Sequence, residues 1–340
     1  MSKVGVVLCT VCLLVSAPVW GADVSWSYAG SGNWATGSNW STGSPPTADQ
    51  IVDLPDTVGG AGYTVTIDQP GAVCAGIEIN LTNSTLLLTD GGDFTVNGCM
   101  TSYATPNTAT GGVFKQTGGT SHISGFRNAR WGNNGGKPAE IIISGGTMLP
   151  AYLTNDDGKI IDCGYRSGSS PNRGGILHII GSEASITMLG GEEASGYGAF
   201  QLLDYGVVIF ELDENGVSPI NVDLTKSADL LYPKGDNADL AGGIIDIRGV
   251  APPLGTSITL LTADVIDSTG VSLDPSDVEG GSEWGDNYWT LTIIPGSESG
   301  AGNPNNGDNG SVIVTYVPEP TTLSLLVISG IGVLLRRRRQ

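Results

Sequence analysis

Residues 116–120 read QTGGT and residues 143–147 read ISGGT, 27 residues apart, and residues 179–186, IIGSEASI, carry a looser form of the same pattern. In the first two, a short run meets a Gly-Gly corner and a Thr opens the next run. Glycine reaches backbone angles that a tight corner needs, so the repeat predicts a β-solenoid in which strand, corner and strand recur and stack. The surrounding sequence keeps the same rhythm. From Tyr63 onward come YTVTI, AGIEI, TLLL, DFTV, GGVF, SHIS, EIII, KIID, GILHII and ASITM, separated by Gly, Asn, Asp or Ser. Spacings of about 8 to 15 residues between such runs read as strands, and no amphipathic helical period runs through them. The expected fold class is all-β, with parallel β-solenoid repeats over residues 61–203 and a β-sandwich as the alternative.

After Leu203 the runs lengthen. GVVIFELDENG, PINVDL, GGIIDIRG, TSITLLTADVI, YWTLTII and SVIVTYV are more apolar and more widely separated, which predicts a second β-unit with spacer over residues 204–316, of capping-sandwich type. SESGAGNPNNGDNG, at 297–310, reads either as a hairpin loop or as the start of a spacer.

Composition agrees with many short strands and turns. The 340 residues include 52 glycines, only 14% are charged, and 39% are apolar, which is ample for a core. The net charge is −19. Of the few cations, Lys3 and Arg336–Arg339 lie at the two ends, so the body is more acidic still. Nucleic acid is excluded as an expected partner, because its binders need a cationic footprint.

The ends are specialised. Residues 1–21, MSKVGVVLCTVCLLVSAPVWG, place a cation at Lys3, an apolar run from Val4 to Val15, and small residues before Ala22. This reads as a secretory signal peptide cleaved near Ala22. At the other end Val317, Pro318, Glu319 and Pro320 form VPEP, followed by TTLSLLVISGIGVLL, by Arg336, Arg337, Arg338 and Arg339, and by Gln340. The prolines fix φ and bar regular structure, holding a segment that a processing enzyme can grip. An apolar run of about 15 residues enters a bilayer but is marginal for spanning it. The arginines then act as a cytoplasmic stop-transfer signal.

This tail, residues 317–340, resembles that of the PEP-CTERM family of exported bacterial proteins: Pro-Glu-Pro, a short hydrophobic helix and an arginine cluster, in that order. A tail of this type also carries the name ice-binding protein C-terminal domain, which says nothing of ice here. The resemblance implies recognition by an exosortase, a membrane transpeptidase-like enzyme, and association with extracellular polysaccharide and biofilm. The glycine-cornered repeats in turn loosely resemble autotransporter-associated β-strand repeats of exported proteins.

Within the body, residues 22–60 carry Trp26, Trp34 and Trp40 in a turn-rich stretch. They read either as a stacking platform for sugars or as a cap that plugs the open end of a β-stack and protects its apolar interior. Once Cys9 and Cys12 leave with the leader, Cys74, Cys99 and Cys163 remain, an odd number without metal-finger spacing. Cys74 and Cys99 lie near one repeat apart and are a possible disulfide. No metal or other cofactor is expected.

Catalytic material is sparse. His122 and His178 are the only histidines, and neither sits in a HExxH or GxSxG setting. Asp156, Asp157, Lys159, Asp162 and Arg166 are the one cluster suited to acid–base work on a polysaccharide, although NDDGK reads first as a solvated turn. ELDENG, at 211–216, opens like a calcium loop but has Val222 where a bidentate carboxylate is needed, so a hairpin turn is the better reading. TVT at 64–66 is too short a threonine rank for an ice-binding face. The expectation is therefore a non-enzymatic, exported surface or matrix protein, structural or adhesive, tethered transiently or stably to the membrane by its tail. A carbohydrate-binding surface module is the alternative, and a polysaccharide lyase or hydrolase a more distant one.

Overall fold

The computed structural model describes residues 24–55, 58–60, 62–79, 84–102, 112–128, 140–150, 161–163, 175–189, 200–202, 206–223, 238–239, 244–263, 266–267, 272–273, 287–294 and 310–318. These are all-β, as the rhythm of short runs predicts. The first strands are β1 (Val24–Ser25), β2 (Gly32–Asn33), β3 (Ile51–Leu54), β4 (Thr64–Ile67), β5 (Ala72–Cys74), β6 (Gly76–Ile79), β7 (Thr85–Leu88) and β8 (Asp93–Ser102). There follow β9 (Val113–Asn128), β10 (Glu140–Pro150), β11 (Ile161–Cys163), β12 (Ile176–Ile180), β13 (Ala184–Leu189), β14 (Phe200–Leu202), β15 (Val207–Leu212) and β16 (Ile220–Asp223). The last are β17 (Ala238–Asp239), β18 (Ile244–Gly249), β19 (Ser257–Ala263), β20 (Ile266–Asp267), β21 (Ser272–Leu273), β22 (Asn287–Ile294) and β23 (Gly310–Pro318).

Most pairing is parallel and falls into three ladders. The first runs β2, β4, β7, the start of β9, the start of β10, β12, β15, β18 and β21. A second joins β5, β8, the middle of β9, the end of β10, β13, β16 and β19. The third joins β1, β3, β6, the ends of β8 and β9, β11, β14, β17 and β20. From β4 to β21 the chain visits the three in a fixed order. The ladders cross residue 203 without a break, since β12, β13 and β14 pair with β15, β16 and β17. The sheet becomes mixed at its end, where β23 pairs antiparallel with both β19 and β22.

Alternation explains where the core sits. Along β4 Val65 and Ile67 are buried and Thr64 and Thr66 are not; Leu86 and Leu88 repeat this on β7, and Leu177 and Ile179 on β12. A period of two puts one side chain in each pair inward, and parallel register stacks like on like. Val65 pairs with Leu86, Leu86 with Phe114, and Phe114 with Ile141, forming an apolar file through the interior.

The Gly-Gly corners lie between the first and second ladders. Gly119 has φ of 67° and Gly146 of 77°. A Cβ on Gly119 would lie 2.5 Å from the Gly92 carbonyl oxygen, and one on Gly146 would lie 2.5 Å from the Gly118 carbonyl carbon. Only glycine meets both the backbone angle and the close approach of the neighbouring corner. Beside this corner the inward-facing Gln116 donates from Nε2 to the Thr147 carbonyl at 3.0 Å, and its Oε1 accepts from Ser121 Oγ at 2.7 Å. Both side chains are fully buried, and their mutual bonds remove the cost of polar groups in an apolar interior.

Two sequence-based expectations are corrected here. Val317 and Pro318 are not outside regular structure: they are the last residues of β23, paired with Tyr288 and Asn287. A proline is compatible with a strand at its terminus, where a missing N–H breaks no interior ladder. The Cys74–Cys99 disulfide is not formed, and Cys74 is a free, buried thiol. Cys74 pairs with Val96 in the second ladder, whereas Cys99 pairs with Gly125 in the third, beyond a register shift. A corner separates the two cysteines.

Candidate functional site

The outward positions of the first ladder bring together charged groups that are far apart in sequence. On β10 Ile141 and Ile143 point inward, leaving Glu140 and Ile142 outward. The same alternation turns His178 of β12 outward between Leu177 and Ile179. On β15 Phe210 and Leu212 face the core and Glu211 does not; on β18 Ile245 and Ile247 do so, and Asp246 and Arg248 lie on the other face. Parallel register then aligns Ile142, His178, Ile209 and Asp246 in one file, with Glu211 beside Arg248.

His178 bridges three strands from this file. Its Nδ1 is 3.4 Å from Glu140 Oε1 and its Nε2 is 2.9 Å from Glu211 Oε2. A neutral imidazole has one N–H, so it can donate to only one of the two carboxylates; the imidazolium donates to both. Next in the file, Arg248 Nε donates to Asp246 Oδ2 at 2.6 Å. Asp246 is only 2% exposed. Burial pushes its carboxyl above the usual aspartate value, against the Arg248 hydrogen bond and charge, a backbone bond from Ile247 and the charge of His178.

This arrangement is a clasp of side chains from β10, β12 and β15 centred on His178, with the Arg248–Asp246 pair on the neighbouring β18. General acid–base chemistry needs a carboxyl that can reach a substrate proton, and Asp246, the perturbed one, is covered. Glu140 and Glu211 are partly open but are held on His178. The cluster does not line the groove of about 180 Å³ found near the N-terminal end, whose walls include Asn33, Trp34, Pro45, Pro46, Asp68 and Pro70. There Asn33 Nδ2 donates to Asp68 Oδ1 at 2.5 Å.

The three tryptophans are packed against one another. Trp26 and Trp40 meet edge-on with centroids 5.0 Å apart, Trp34 and Trp40 at 4.8 Å, and Trp34 reaches Phe94 at 5.3 Å, while Tyr63 stacks on Trp26 at 5.8 Å. Trp40 Nε1 donates to the Trp34 carbonyl at 2.7 Å. All three are at most 3% exposed. This corrects the sugar-stacking expectation, because such a platform needs an exposed ring face and these rings cover the first apolar layer instead.

The remaining sequence candidates fall as follows. His122 is exposed on β9, opposite Thr95 and Leu149. Asp162 and Cys163 lie in β11, where they pair with Arg127 and Asn128. ELDENG forms a turn in which Asp213 and Gly216 exchange backbone hydrogen bonds. Asp213 also accepts from the Ser182 amide and hydroxyl and from the Asn215 amide, and the Ser182 amide first of all lowers its carboxyl below the ordinary range. Burial pushes the Cys74 thiol up, which makes it a poor nucleophile. Among the described residues no group of three or more His, Cys, Asp or Glu is placed to hold a metal ion, and no helix is long and apolar enough to cross a membrane. The leader at 1–21, Asp156, Asp157, Lys159, Arg166, Glu319, Pro320 and Arg336–Arg339 lie outside the described residues.

The sequence reading missed the His178 clasp. Alternation places His178 outward, but the segments between successive strands of this ladder differ in length, so nothing local announces that Glu140 and Glu211 lie on either side of it. No protein-family model matches the chain, and neither a curated protein nor a solved structure is similar to it.

Proposed function

We propose that this is an exported protein of the cell surface or extracellular matrix, with a structural or adhesive role, whose body is a parallel β-solenoid and whose tail is an exosortase sorting signal. One observation carries the reading. Between β4 and β21 the chain returns to the same three ladders in the same order, and such stacking extends a protein along one axis. The buried Trp26, Trp34 and Trp40 suit a plug over one end of that shaft, and the His178 clasp ties three neighbouring strands of the first ladder together. The tail supplies the address: β23, the last described strand, ends at Pro318, inside the VPEP motif. A sandwich fits less well, since its sheets are antiparallel. An extracellular polysaccharide remains the expected partner class, and the groove walled by Trp34, Asp68 and the prolines beside them is where a sugar would seat.

Fractionation of the native host tests the proposal. The protein is expected in the surface and matrix fractions, and its small-angle scattering should give the skewed distance distribution of a rod. Recovery in the cytoplasm would overturn export, and a compact, symmetric distribution would overturn the solenoid.

A further inference from the structure

Residues 250–256, VAPPLGT, join β18 to β19 and contain no charged side chain. Two of the large hydrophobic side chains that stand exposed among the described residues belong to this loop, Val250 at 48% and Leu254 at 55%. Ala251 and Pro253 between them are exposed as well. An apolar group of this kind, gathered in one loop, marks a contact surface more than the single exposed residues that any fold leaves.

The loop is held in place. At its start the Val250 amide donates to the Leu212 carbonyl at 2.9 Å. At its end the Thr256 amide and hydroxyl both donate to the Pro253 carbonyl, at 3.1 and 2.6 Å, and the two prolines fix φ. The Gly255 amide donates to the Tyr316 carbonyl at 2.8 Å, and the Tyr316 amide to the Thr256 carbonyl at 3.0 Å. Val250 and Leu254 are therefore presented on an ordered backbone, which spares a partner the cost of ordering it. The bonds to Tyr316 also fix the loop beside the end of β23, two residues before Pro318. In the sequence only Glu319 and Pro320 separate Pro318 from the apolar run at 321–335.

We infer that this loop is a membrane contact, in which Val250 and Leu254 seat in the interfacial layer of the bilayer that the tail enters. The inference rests on the reading of residues 317–340 as a membrane-inserting tail and applies to the chain before that tail is cut. Three residues, from Pro318 to Thr321, reach at most about 11 Å, so a tail in the bilayer draws the end of β23 to its surface, and the loop bonded to Tyr316 goes with it. Apolar side chains fixed at that surface gain by leaving water. Charge borders the patch: Arg248, paired with Asp246, stands just before the loop, and Glu319 follows Pro318 in the sequence. The seat is accordingly at headgroup depth and not in the hydrocarbon, where a charge is costly.

Fluorophore-labelled full chain in phosphatidylcholine vesicles tests this, with an environment-sensitive label on Leu254→Cys or on Val250→Cys and the signal of the equally treated parent chain subtracted. A label on Ser329→Cys reports the tail, and one on His122→Cys, exposed on β9, reports the body. The loop labels should emit to the blue of the His122 label and be quenched by lipids carrying a nitroxide at the headgroup, while the His122 label stays open to aqueous iodide. Loop labels that match the His122 label while the Ser329 label is in lipid would overturn the loop contact and leave the tail reading standing. A Ser329 label that also stays in water would overturn both. Equal lipid quenching at His122 and in the loop would overturn the contact too, because the loop would then not be singled out.

Discussion

Asp246 shows how one position in a file can differ from its neighbours. Register aligns it with Ile209, which is also 2% exposed, so the carboxyl occupies a place that suits an isoleucine. Because burial raises its folded value above the ordinary 3.8, the folded chain binds this proton more readily than the unfolded one. Its contribution to stability is then full below that ordinary value and declines as pH rises through the raised one. Asp246→Asn removes the titration. The stability of the parent chain minus that of the variant, from urea midpoints, should fall as pH rises above 3.8; a difference that grows with pH would contradict the assignment. Asp213 works in the opposite sense, since its lowered carboxyl gives a contribution that is lost as pH falls below the ordinary range.

At the scale of the element, the N-terminal cap concentrates the largest buried side chains. Trp26 and Trp40 are fully buried, and an antiparallel bridge joins them. Trp40→Ala removes an aromatic contact with each of Trp26 and Trp34 and the indole donor to the Trp34 carbonyl. Truncation of such a side chain should cost about 3–5 kcal/mol in urea unfolding; a cost near zero would mean that the tryptophans do not seal the stack. Much of this scale was legible in the sequence. The corners of QTGGT and ISGGT were, because φ near 70° at Gly119 and Gly146 demands a residue without Cβ. Strand direction was not, because a run such as SVIVTYV alternates equally well whether it pairs parallel or antiparallel. For the same reason the separation of Cys74 and Cys99 by a corner is hidden in the sequence, and a Pro318 that closes a strand reads the same as one that bars regular structure.

At the scale of the whole molecule, the body and its ends belong to one account. An apolar file runs through Val65, Leu86, Phe114 and Ile141, the first layer lies beneath buried tryptophans, and the last described strand reaches into the VPEP segment. A body built in this way suits the scaffold proposed above, and a net charge of −19 keeps such a body solvated. The pairing of Val317 with Tyr288 and of Pro318 with Asn287 places the fold boundary within VPEP, so cleavage beyond Pro318 would leave β23 intact.

Intact-mass analysis of the protein recovered from the surface and medium of its native host tests this account most directly. The account predicts a species that has lost the leader near Ala22 and the tail beyond the VPEP segment. A chain that still carries Arg336–Arg339 would contradict it, and the tail would then be a plain anchor.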